Sequence, residues 1–267
     1  MFLRSWLLFC LTVSLKKYIG LKYRVPATEM NFEEDLKSCM GKVLKGREVI
    51  YAFLGRVYEK EVDEEFLRAL IHRMDLLLAF EEMAGVDVNL KEGFKGLRAY
   101  LSGARDRELN EVLLELAADY ANLFLGVGYA YHKKGIPHPS ESVYLTGYMY
   151  QDVIDEIFDA YLEAGVTKSP EFREPEDHIA LEMYFMAYLC TKALEALDAG
   201  DLQSLRRHLK RQRDFLTNHL LKWALKLADD VIENANTMFY KAVGKITKGL
   251  LTMEGEVLEW LARGLEA

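Results

Sequence analysis

Between Pro175 and Gly200 the chain places Ile179, Leu181, Met183, Tyr184, Phe185, Met186, Tyr188 and Leu189 in close succession. At helical spacing these side chains point in nearly every direction around the axis. A helix without a polar face has to be enclosed by others. This one segment therefore demands a bundle with a central helix, and the rest of the chain agrees. Val49, Ile50, Phe53, Leu54, Val57 and Tyr58 make one stripe within 47–60. Leu109, Val112, Leu113, Leu116, Tyr120, Leu123 and Phe124 repeat the pattern within 108–124, and Val153, Ile154, Ile157, Phe158, Tyr161 and Leu162 repeat it again. Asp63 reads as the N-cap of a helix reaching Met83, and Gly165 as a helix stop. Pro175 suits the first turn of the central helix, Gly200 ends it, and Asp201 caps the next. Further amphipathic helices are expected over 215–235 and up to 265. With 5 prolines and 18 glycines in 267 residues, turn chemistry is too sparse for an all-β fold. The expected fold class is all-α, a two-lobed helical bundle.

The longest stretch without helical periodicity is 126–142, which holds Gly126, Gly128, Gly135, Pro137 and Pro139. Glycine permits a sharp change of direction and proline then stiffens it. A hinge is expected there, between lobes at 30–125 and 143–267. A second loop, 166–174, carries Pro170. Residues 1–29 stand apart as an N-terminal extension. Arg4 precedes an apolar run from Trp6 to Leu15 that is too short to span a bilayer, and no small-x-small cleavage site follows it. It reads as a helix docked on the body, a short membrane anchor, or codons upstream of a true start at Met30; the last is preferred, and the folded domain is then 30–267.

Lysine and arginine number 34 against 42 aspartates and glutamates, a net charge of −8. That argues against a nucleic-acid binder, which needs a basic surface, and leaves room for a basic partner. The common catalytic signatures are absent: no Gly-x4-Gly-Lys loop, no Gly-x-Ser-x-Gly elbow, no His-Glu-x-x-His and no Glu-x-x-His pair. Cys10, Cys39 and Cys190 are odd in number and far apart, which suggests a reducing compartment. His178 and Glu182 are half a metal site at most, and no metal is expected.

The residues best placed to hold a site lie in the two proline-bearing loops. Leu123-Phe124-Leu125-Gly126 leads to Pro137-His138-Pro139-Ser140-Glu141-Ser142-Val143-Tyr144, and Glu174-Pro175-Glu176-Asp177-His178 leads into the central helix with Glu182 and Met186. Phe215-Leu216-Thr217-Asn218-His219-Leu220, Trp223 and Phe239-Tyr240 follow. In order and spacing these motifs, over roughly 46–251, resemble the TorD/DmsD/NarJ family of molybdoenzyme-maturation chaperones. The resemblance implies a cytoplasmic all-helical chaperone without catalytic activity. Such a chaperone binds the twin-arginine leader of a molybdopterin-containing oxidoreductase and holds its catalytic subunit back from export until the cofactor is inserted. Contact with the export machinery would be transient, with no stable membrane span. The chaperone carries no cofactor of its own, a guanine nucleotide being left open. Ser140 stands where several members carry an aromatic residue, a departure that touches the identity of the leader.

A basic, then apolar leader calls for carboxylates beside a hydrophobic groove. Glu174, Glu176, Asp177 and Glu182 supply the carboxylates, and Leu123, Phe124, Val143, Tyr144 and Met186 the apolar wall. Gly126, Pro137, Pro139, Ser142, Pro175 and His178 complete the expected peptide-binding set. Plainer roles compete. Asp177 and His178 also suit helix capping, Glu182 a paired structural carboxylate, and the cluster Arg206, Arg207, His208, Lys210, Arg211 and Arg213 a solvated face. Two functional rivals remain: an enzyme using Asp177 and His178 as an acid–base pair, and an assembly adaptor for a folded redox subunit.

Overall fold

The computed structural model describes residues 32–83, 87–126 and 137–265, and the readings offered for 1–29 lie outside them. Among the described residues eleven α-helices and one π-helical turn follow in order. They are α1 (Phe32–Glu59), α2 (Glu64–His72), α3 (Met74–Met83), α4 (Val88–Ala104), α5 (Leu109–Phe124) and α6 (Glu141–Thr146). After them come α7 (Val153–Glu163), α8 (Ile179–Ala199), α9 (Leu202–Phe215), the π-turn (Leu216–Leu220), α10 (Leu221–Asn234) and α11 (Met238–Arg263). The fold is all-α. None of the described helices is long and apolar enough to cross a membrane.

The helix without a polar face, α8, lies along α1 on one side and α9 on another, as its composition demands. Leu189, Cys190 and Ala193 on it are fully buried. The second extensive pairing sets α4 against α11. Both pairings join an element before 126 to one after 143, and a single apolar cluster runs from Met40 to Leu261. The described parts of the stretches on either side of 126–142 thus share one core. Most of the segment expected to be a hinge, 127–136, lies outside the described residues.

The interior also carries a polar tie. Arg47 on α1 meets Glu254 on α11 through two bonds of 2.8 and 2.5 Å, with both side chains buried. Its third bond, 2.6 Å, goes to Gln212 on α9, whose amide donates to the Leu189 carbonyl of α8 at 3.1 Å. Tyr51 adds a hydrogen bond to Glu254 at 2.8 Å. Four helices are linked through one guanidinium. Elsewhere the Asp119 carboxylate on α5 accepts from the backbone N–H groups of Asn236 and Thr237 at 2.9 and 2.7 Å, which fixes the start of α11.

Three boundaries differ from expectation. The segment 63–83 is two helices, broken where Arg73 leaves helical geometry; Asp63 does cap the first, accepting from Phe66 N at 2.9 Å. The central helix starts at Ile179 rather than Pro175, because the Asp177 side chain turns away to another segment and His178 takes the N-cap position. The segment 215–235 opens with the π-turn instead of a continuous α-helix. Two helices, α4 and the short α6, have no counterpart among the expected elements, and in α4 the residues Gly93, Gly96 and Gly103 dilute the apolar pattern.

Two of those glycines have opposite surroundings. A Cβ on Gly93 would stand 2.8 Å from the backbone nitrogen of Ile246 on α11, closer than such atoms approach, whereas a Cβ on Gly103 would meet nothing within 4 Å. Gly93→Ala is therefore expected to destabilise by ~1–3 kcal/mol through overpacking, a fall in Tm of about 2–4 °C per kcal/mol. Gly103→Ala should leave Tm unchanged or raise it slightly. Thermal melts followed by circular dichroism would check the pair, and equal shifts would contradict the close α4–α11 approach.

Candidate functional site

The structure brings the two proline-bearing loops together. Ser140 and His178 pair across an isolated antiparallel bridge. Ile179 N donates to the Pro139 carbonyl at 2.8 Å, and Glu141 N donates to the Asp177 carbonyl at 3.0 Å. The Asp177 carboxylate then accepts from Ser142 N at 2.8 Å, in the first turn of α6. An aspartate on one loop thus satisfies the helix start belonging to the other. His178 caps its own helix, its Nδ1 accepting from Ala180 N at 3.2 Å. Burial holds the His178 imidazole down to about 3, with His138 adding to the effect. A neutral ring is what an accepting Nδ1 requires.

Behind this lacing lies a buried acidic region. Glu141, Asp177 and Glu182 are all fully buried. Glu141 meets His219 of the π-turn at 3.1 Å. Glu182 accepts from the Trp223 indole at 3.3 Å, a modest bond for a carboxylate. Burial, with Glu141 and then Asp177 adding negative charge, holds the Glu182 carboxyl well above the usual carboxylate range. Burial raises Glu141 too, against the pull of His219. The π-turn aims His219 at this cluster, and such turns recur at functional positions.

Toward solvent, the ends of α1 and α5 meet the same two loops around a pocket of about 490 Å³. Tyr120, Phe124, Leu125 and Pro139 form its apolar lining, and Glu59, Glu61, Asp63, Glu174 and His178 its polar one, with Lys60 as the cation. Phe124 is held by an edge contact with Tyr58, ring centroids 5.6 Å apart, and by Tyr120 at 5.1 Å. Glu59 accepts from Tyr184 at 2.7 Å, and Asp63 is paired with Arg56 at 2.6 Å. Glu61 and Glu174 are exposed, and neither has an ion-pair partner among the described residues.

Of the residues expected from sequence, Phe124, Pro139, Glu174 and His178 line this pocket. Leu123, Ser142, Asp177, Glu182 and Met186 are interior, as are Pro137 and Pro175. Asp177 and His178 fill the capping roles weighed above, and Glu182 is an interior carboxylate bonded to Trp223. Tyr144 packs on Trp223 at 5.4 Å and donates to Asp230 at 2.8 Å, facing α10, with Val143 half-buried beside it. Gly126 closes α5 with a φ of 70°. Sequence reasoning missed Glu59 and Glu61. The run Glu59-Lys60-Glu61-Val62-Asp63-Glu64-Glu65 held a signal in its acidity, which was read only as helix capping.

Residues 84–229 match the family described as nitrate reductase delta subunit. The chain belongs to the TorD/NarJ family of molybdoenzyme-maturation chaperones. Among similar proteins, the chaperone protein TorD of Photobacterium profundum is 28% identical over 197 residues, 73% of this chain and 86% of its own length. TorD of Shewanella pealeana is 27% identical over 226 residues, covering 80% of this chain and 90% of that protein. TorD of Vibrio parahaemolyticus is 26% identical over 201 residues, 75% and 88% of the two chains. A TorD/NarJ chaperone is not an enzyme, and Asp177 and His178 each cap a helix start.

The raised Glu182 carboxyl sets a pH dependence. A carboxyl whose pKa rises on folding keeps its proton in the folded state after the unfolded chain has lost it at 4.5. Its contribution to stability is complete below that value and declines as pH rises through the folded one. Glu182→Gln mimics the protonated form at every pH. The Tm of the variant minus that of the parent should therefore grow as pH rises above about 5. Groups remote from Glu182 contribute equally to both proteins and cancel in the difference. A difference that stays flat would mean that Glu182 does not hold its proton on folding.

Proposed function

We propose that this chaperone acts in the cytoplasm on a molybdopterin-containing oxidoreductase, binding its twin-arginine leader while the cofactor is inserted and the catalytic subunit assembles before export. The observation that carries the reading is the pocket where Glu61 and Glu174, exposed and without an ion-pair partner among the described residues, stand beside the aromatic lining of Tyr120 and Phe124. Arginine guanidinium groups pair with carboxylates through strong, directional hydrogen bonds. The apolar part of a leader would then run over the aromatic lining, apolar face inward. The net charge of −8 favours encounter with a basic segment. No nucleic acid and no cofactor of the chaperone's own takes part. The interior residues Asp177 and Ser142 serve this reading by lacing together the two loops that carry Pro139 and His178 to the pocket wall.

Titration calorimetry with a synthetic twin-arginine leader tests it. Glu61→Gln combined with Glu174→Gln keeps side-chain shape and removes two charges. Affinity should fall about five- to tenfold, in line with ~1 kcal/mol for pairs at an exposed rim. Raised salt should weaken the parent more than the variant. A leader with both arginines replaced by glutamine should bind the parent and the variant alike. Equal affinity of parent and variant for the intact leader would remove the pocket from the reading.

A further inference from the structure

A second surface lies away from the pocket lining, on α7 and the loop before it. Leu145, Tyr148, Met149, Tyr150, Phe158 and Leu162 are all exposed, Tyr148 and Tyr150 at 72% each. The short helix α6 contacts α7, so the two parts of this patch are neighbours. Tyr150 has a φ of 58°, the left-handed region that side chains other than glycine's and asparagine's rarely adopt, and it is the one such non-glycine residue among those described. Residues held this way gather at functional positions. Here the strain accompanies an aromatic ring standing in solvent.

The pattern along α7 is regular. Ile154, Phe158 and Leu162 recur every fourth residue and form a ridge, half-buried at its start and exposed at the other two positions. The next residue after each is acidic: Asp155, Asp159 and Glu163, all exposed. One position on a helix is a rotation of about 100°, so an acidic row runs parallel to the apolar ridge. No lysine or arginine occurs between Lys134 and Lys168. None of the three carboxylates forms an ion pair among the described residues; Arg211 reaches the backbone oxygen of Glu163, not its carboxylate. Among the described residues Arg211 stands at the Glu163 end of the row, and no cation pairs with the carboxylates of Asp155 and Asp159.

We infer that this surface docks an amphipathic helix of a protein partner, one with an apolar stripe flanked by lysine or arginine. A ridge of every fourth residue seats between the side chains of a second helix lying alongside. The acidic row selects a basic flank, and the two tyrosines with Met149 extend the apolar contact beyond the end of α7. The inference is independent of the leader pocket, sharing no lining residue with it.

The probe is a fluorescein-labelled 18-residue helical peptide of leucine and lysine in helical period, with a leucine–glutamate peptide of the same pattern as its counterpart. Fluorescence anisotropy should show binding of the lysine peptide and none of the glutamate peptide. Phe158→Ser with Leu162→Ser, both at exposed positions, should weaken binding at least tenfold while circular dichroism stays unchanged. Asp155→Asn with Asp159→Asn should weaken it and reduce its salt dependence. Glu61→Gln with Glu174→Gln should leave it unaltered, which separates this surface from the leader pocket. Equal affinity for the Phe158/Leu162 variant, or loss confined to the Glu61/Glu174 variant, would overturn the proposal. So would sedimentation showing a dimer that Phe158→Ser with Leu162→Ser disperses, since the occupant would then be a second copy.

Discussion

The guanidinium of Arg47 is the pivot of this bundle. Taking a charged group out of water is costly unless counter-charge and hydrogen bonds replace the solvent, and Glu254, Gln212 and Tyr51 do so here. Leaving either charge unpaired in such a place costs ~3–5 kcal/mol, a large share of the stability of an ordinary domain. Helices α1, α8, α9 and α11 are consequently fixed in register as well as in contact. An apolar interface alone tolerates sliding; a two-pronged Arg–Glu bond does not. One side of the pocket follows from that register. The end of α1, which carries Glu59 and leads to Glu61, is positioned by the same helix that carries Arg47.

Two kinds of acidity coexist a short distance apart in the fold and behave differently. Glu141 and Glu182 are interior groups whose desolvation favours the neutral form. Glu61 and Glu174 are at the surface, open to solvent and within reach of a visiting cation. The layer between them is the Asp177 lacing, half backbone ladder and half side-chain cap. It gives the wall of the pocket a fixed shape without contributing an exposed charge to it.

Much of this was legible in the sequence, for physical reasons that also explain what was not. The all-apolar character of 179–189 determined the position of α8, since no other arrangement hides it. The caps at Asp63 and Asp201 were readable because a short acidic side chain before an apolar period has few other uses. The pairing of the two proline-bearing loops was anticipated as a shared site, yet its geometry was not, because a bridge between 140 and 178 is a long-range contact with no local signature. The roles of Asp177, Glu182 and Met186 were assigned by residue type, and type does not reveal burial. Glu59 and Glu61 went unnoticed because they belong to a helix end remote in sequence from either loop. The helix α4 escaped because glycine lowers helix propensity, although at Gly93 it is what permits contact with α11.

The lacing by Asp177 has a consequence for how specificity could diverge among proteins of this build. The carboxylates that face outward sit at helix ends and loops, whereas the bonds that shape the wall are made by buried backbone and a buried aspartate. Divergence at the rim can therefore proceed one residue at a time, changing which charges a visitor meets, while the frame beneath is inherited intact. A survey of inactivating changes would nonetheless score Asp177 among the most sensitive positions through the bonds that it makes within the frame. Sensitivity at that position measures how far the frame is shared.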